Sequence, residues 1–165
     1  MQSFRKSAVT VISTALIGAI GQAAAAERPK EGTFEYTSCW AGTGNYIEFS
    51  KTHSGVSYEF VGTSRTNPPG GIFDMMSFRC VGFTRNIEGK SSGMNLCEAV
   101  DKDGDKILAQ NIYEGPRSKN DAITGTGKYE GIVRSGIADS LGVFPAPKPG
   151  SIQGCNHQTG TYKLK

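Results

Sequence analysis

The sequence predicts an all-β domain, a small antiparallel sandwich or closed barrel held by two disulfides. Three observations predict it. Short segments alternating large apolar with polar residues recur along the chain, no window of a dozen residues keeps apolar positions at the helical period, and four cysteines stand where two bridges fit.

The N-terminus reads as an export signal. Arg5 and Lys6 precede the uncharged run Ser7 to Gly21, the small residues Ala23 to Ala26 follow, and charged sequence begins at Glu27. Cleavage is expected after Ala26. The apolar run is shorter than the roughly 20 residues that cross a bilayer, and no Cys follows the cleavage point to carry a lipid. The expected organisation is therefore a signal peptide over residues 1–26 and a single β domain over residues 27–165, working in the periplasm or secreted. Removing 26 of 165 residues leaves 139, enough for one core. Arg5 and Lys6 leave with the signal, so 16 basic residues face 15 acidic ones. That balance gives no footprint for nucleic acid, and no membrane association is expected after cleavage. In an exported chain Cys39, Cys80, Cys97 and Cys155 read as disulfide-bonded.

Strands are expected at residues 34–37, 46–49, 56–60, 76–79, 95–100 and 106–112, with a short one near Lys128 to Ile132 and a last one at Gly160 to Leu164. Asp103-Gly104 is a two-residue turn signal that, taken as centre, pairs Val100 with Ile107. A hairpin centred on Glu88-Gly89 sets Cys80 opposite Cys97, within disulfide range, and leaves Cys39 for Cys155. If the sheet closes, that second bridge joins its first and last strands. Register alone leaves the other two connectivities open. Asn67 to Gly71 and the proline-rich Phe144 to Gly150 read as loops.

Motifs for chemistry fail on spacing. Asp101, Asp103 and Asp105 resemble the start of a calcium loop, but Lys106 and Ile112 stand where an EF-hand needs Gly and Glu. A solvated turn is the reading, with weak calcium binding the alternative. Gly89-Lys90 and Gly127-Lys128 lack the upstream Gly of a phosphate loop. No Gly-x-Ser-x-Gly elbow is present, and His53 and His157 read as surface residues. No cofactor or metal is expected. Trp40, Tyr46, Tyr58, Phe60, Phe78 and Tyr129 fall in or near strands with Glu48, Glu59 and Arg79, and inward-facing members would fill a core or line a cavity. The candidate ligand-binding set is Trp40, Tyr46, Tyr58, Phe78 and Arg79. Alternation puts Glu59 on the opposite face from Tyr58 and Phe60, and Arg79 opposite Phe78, without saying which face is interior.

The segment Ile123-Thr124-Gly125-Thr126-Gly127-Lys128-Tyr129-Glu130-Gly131-Ile132 resembles the Gly-x-Gly-x-aromatic-x-Gly segment of the allene oxide cyclase and dirigent-like barrels, relatives of the lipocalin-type (calycin) barrels. The resemblance implies an eight-stranded barrel with an apolar interior, often a homo-oligomer. The glycines would let the chain bend or approach a neighbour, with the aromatic filling the space. The leading functional expectation is a barrel that binds a small hydrophobic molecule. A second is an isomerase or cyclase acting by cavity shape, with Glu48, Glu59 or Arg79 assisting. A third is an inhibitor or interaction module presenting the loops at Asn67 to Ile72 and Phe144 to Gly150.

Overall fold

The computed structural model describes residues 29–165, so the expected signal segment, residues 1–26, lies outside the described residues. The chain forms an eight-stranded antiparallel barrel in which sequence neighbours pair and the last strand closes on the first. The strands are β1 (Glu31–Ser50), β2 (His53–Thr66), β3 (Ser77–Ile87), β4 (Lys90–Val100), β5 (Lys106–Glu114), β6 (Arg117–Gly125), β7 (Val133–Val143) and β8 (Ser151–Lys163). Residues 34–37 and 46–49 belong to one strand of 20 residues, β1.

Both disulfides pair as the register arithmetic expects. Cys80 lies opposite Cys97 in the β3–β4 ladder and Cys39 opposite Cys155 in the β1–β8 ladder, each pair with Cα atoms 4.1 Å apart. Positive φ at Glu88 (50°) and Gly89 (78°) makes the β3–β4 turn the tight hairpin that sets this register. The Cys39–Cys155 bridge lies on the outer wall across the seam, whereas Cys80 and Cys97 are buried inside.

Two expectations fail. Val100 pairs with Lys106, and Ile107 with Ala99, because the β4–β5 turn has one residue more than a two-residue hairpin centred on Asp103-Gly104 allows. Asp101 accounts for it: its carboxylate accepts the N–H groups of Asp103 (2.9 Å) and Asp105 (3.1 Å), which widens the turn. The strand expected near Lys128 to Ile132 is a 3₁₀ turn, Gly127–Tyr129, followed by irregular chain. Gly127 and Gly131 have φ of 53° and 70°, and a Cβ on Gly125 would stand 2.4 Å from the Tyr129 carbonyl oxygen. The glycines let the chain fold over Tyr129, which is wholly buried.

The Asp101, Asp103 and Asp105 carboxylates surround an ammonium group. Lys128 Nζ lies 2.5 Å from Asp101, 2.6 Å from Asp103 and 3.9 Å from Asp105. Among the described residues no group of three or more His, Cys, Asp or Glu side chains is arranged to hold a metal.

The end of the barrel that carries the β2–β3, β4–β5 and β6–β7 connections is filled. Phe73 and Met76 from the β2–β3 loop pack with Phe34, Tyr36, Ile107, Tyr129, Ile132 and Tyr162. Phe34 fits because Gly136 and Gly160 lie against its ring, where a Cβ would come within 2.7 and 2.6 Å of it. Loop and wall are tied by Ser64 Oγ donating to the Phe73 carbonyl at 2.8 Å and Tyr129 O–H donating to that of Ile72 at 3.0 Å.

Two predictions follow from this architecture. The Cys39–Cys155 bridge spans 116 residues of sequence, so replacing both cysteines by Ala is expected to cost about 4–5 kcal/mol in the chain-entropy account, read as a lowered guanidinium midpoint. A loss under about 1 kcal/mol would show that the seam closes without its staple. Hydrogen bonds from Lys102 and Lys128 lower the Asp103 carboxyl pKa to about 2 from 3.8. A depressed folded-state value stabilises above the unfolded value, so this contribution is complete above about pH 4 and fades as pH falls toward 2. Lys128→Met is expected to flatten the acid limb of a stability–pH profile across that window; parallel profiles would contradict the assignment.

Candidate functional site

Alternation along each strand decides which residues reach the interior. Even-numbered positions of β1, β2, β3, β6, β7 and β8 face inward, as do odd-numbered positions of β4 and β5. The interior expected from the family resemblance is apolar, and the structure corrects this. Ser38, Ser64, Asn95, Asn111, Ser118, Asn120, Arg134 and Gln158 are all buried there.

These groups form a belt across the barrel. Asn95, Asn111 and Asn120 lie directly opposite one another on β4, β5 and β6. Asn111 Nδ2 donates to Asn95 Oδ1 at 2.6 Å, and Asn120 Nδ2 donates to both Asn111 Oδ1 and Gln158 Oε1, the latter at 3.0 Å. Gln158 Oε1 also accepts from the Tyr36 hydroxyl at 2.6 Å and from Arg134 Nη2 at 3.3 Å. Arg134 Nη2 donates in addition to the Tyr36 oxygen. At the other end of the belt Asn95 Nδ2 donates to the Tyr113 hydroxyl. Burial pushes the Tyr36 pKa up despite the Arg134 cation beside it, and burial with Tyr58 nearby pushes Tyr113 up, so both phenols stay protonated donors. Two polar atoms of the belt have no partner among the described residues, Arg134 Nε and Asn120 Oδ1.

Above the plugged end the belt borders a cavity of about 60 Å³. Its other wall is aromatic. Trp40 stacks on Phe60 (centroids 4.8 Å), Tyr58 also stacks on Phe60 (5.4 Å), and Phe78 meets Phe60 edge-on (6.4 Å). The Cys80–Cys97 disulfide packs against this cluster and faces the belt, with Asn111 Nδ2 3.4 Å from Cys97 Sγ. The cavity thus presents rings and sulfur on one side and amides with a guanidinium on the other.

Of the candidate ligand residues, Trp40 and Phe78 line this cavity, and Tyr58 is half-buried against Phe60. Tyr46 is exposed toward the end of β1. Arg79 is on the outer wall, paired with Glu59 at 2.8 Å, and Glu48 is also exposed, so the three charged residues expected to assist an isomerase all lie outside the cavity. The histidines are outside too: His157 Nε2 meets Glu35 at 3.1 Å, and His53 Nδ1 meets Thr52 Oγ1 at 3.0 Å. Sequence reasoning missed the belt itself. The signal that could have found it was the inward phase of Cys97, which carries Asn95 inward two residues away and Asn111 with it.

No protein-family model matches this chain, and no curated protein sequence does.

Asn111→Ala removes the donor to Asn95 Oδ1 and one of the two acceptors of Asn120 Nδ2, leaving a buried carbonyl oxygen and one buried amide N–H unsatisfied. The expected cost is roughly 2–4 kcal/mol, measured by chemical denaturation. A change within about 0.5 kcal/mol would mean that the belt is not a connected network.

Proposed function

We propose that this chain is an exported barrel of the allene oxide cyclase and dirigent-like type, binding a small amphiphilic molecule inside the barrel. The observation that carries the reading is the cavity wall, divided between an aromatic cluster and a hydrogen-bonding belt. A barrel whose interior served only to fold would be more stable with apolar packing than with a row of amides and a cation, since buried polar groups bring desolvation costs. The cavity volume of about 60 Å³ lies well under the roughly 300–1,000 Å³ of pockets that take drug-sized ligands, so the ligand has few heavy atoms. Two disulfides support an oxidising compartment, in line with export. The folded chain over Tyr129 supports the family resemblance.

The interaction-module reading has less in its favour. In an up-and-down barrel the connections after even-numbered and odd-numbered strands emerge at opposite ends, so the loop at Asn67 to Ile72, after β2, and that at Phe144 to Gly150, after β7, cannot share one docking surface.

The test is ligand-observed NMR with a library of small aromatic and aliphatic alcohols, amides and acids, on the wild type and on Ala109→Phe, which projects a ring into the cavity that Ala109 on β5 lines. Saturation transfer to a subset of compounds, lost in the filled variant, is expected. Binding that survives Ala109→Phe, or no binding by any compound, would overturn the reading.

A further inference from the structure

Arg134 is a buried charge for which the described residues supply no counter-ion. It is 6% exposed, the one charged residue buried among the described residues, and no described carboxylate pairs with it. Asp121 is near enough for its carboxyl to be influenced by the cation, but it lies on the outward phase of β6, held by Lys119 at 2.8 Å and Ser135 at 2.7 Å. A guanidinium stays a cation in a protein interior.

What surrounds Arg134 falls short of neutralising it. The guanidinium carbon lies 4.9 Å from the ring centre of Phe34, 5.1 Å from that of Phe73 and 5.7 Å from that of Tyr36. Those rings hold its plane in place, but such contacts recover only part of the cost of dehydrating a charge. Its donors are used on one side: Nη2 serves Tyr36 and Gln158, whereas Nε is buried with no acceptor among the described residues. Arg134 also lines the cavity. An oriented, desolvated cation in a cavity wall is what a planar anion requires, because a guanidinium edge matches a carboxylate in both charge and spacing.

The geometry points to a small organic acid as the ligand, its carboxylate taken by Arg134 and its apolar part turned toward Trp40, Phe60 and Phe78. This inference rests on the ligand-binding reading above and narrows it to an anion. The volume suits an acid of propionate's size.

Propionate and propionamide, equal in shape and differing in charge, are the probes. The ¹⁵N-labelled protein is titrated with each at matched ionic strength, following the Arg134 Nε–Hε resonance, which is assigned by its disappearance in Arg134→Lys. Propionate is expected to shift that resonance saturably and to bind at least tenfold more tightly than propionamide, and Arg134→Met is expected to abolish the preference. Wild-type comparison of acid with amide decides the matter even if Arg134→Met does not fold. Equal affinity for acid and amide would overturn the anion assignment while leaving the ligand-binding reading intact. No shift with propionate, while neutral compounds bind in the library screen, would overturn it as well. Failure of every compound in both experiments would remove the parent reading along with it.

Discussion

Closure of the sheet is the constraint from which the other features of this molecule follow. An open sheet of eight strands would present two rows of unpaired N–H and C=O groups, along β1 and β8, each a template for aggregation. Here those edges satisfy each other from Glu31↔Lys163 to Thr43↔Ser151, and Cys39–Cys155 bonds the pair covalently near the middle of the seam. A closed sheet has an inside, and strand alternation then sorts every residue without further choice.

The inside is what this sequence uses unusually. At one end it is a conventional core, with Phe73 from a loop completing a ring cluster over Tyr129. Higher up, a run of amides crosses β4, β5, β6 and β8 and ends on Arg134. Neighbouring amides that donate and accept in series are mutually supporting, and each is costly to leave unpaired, so the belt holds its geometry firmly. A rigid polar face and an apolar face with a gap between them suit the proposed binding of a small ligand, since the cost of orienting the groups is met during folding.

The parts of this fold legible in the sequence were those where alternation put large apolar residues inward and a turn had an unmistakable signature. Glu88-Gly89 fixed a register, and that register paired Cys80 with Cys97. The strands β6 and β7 escaped notice because their patterns are inverted. In β6 the inward positions are Ser118, Asn120 and Ala122, and in β7 they are Arg134, Gly136 and Ala138, whereas Val133, Ile137 and Leu141 are exposed on the outer wall. A hydrophobic pattern cannot announce a strand whose polar side is buried. The same inversion hid the site: Asn, Gln and Arg read as solvent-facing until the phase of their strands is known. Asp103-Gly104 misled by one residue because the Asp101 side chain, three positions earlier than the glycine, takes part in the turn.

The central claim is that the gap between belt and ring cluster is a binding site and not a packing defect. A crystal structure of the protein purified from its own compartment, without added ligand, tests it most directly. The account predicts density for a compact molecule between Trp40, Phe60 and Phe78 on one side and Arg134 with the amides on the other. A cavity holding only ordered water, with Arg134 Nε and Asn120 Oδ1 both satisfied by it, would contradict the account.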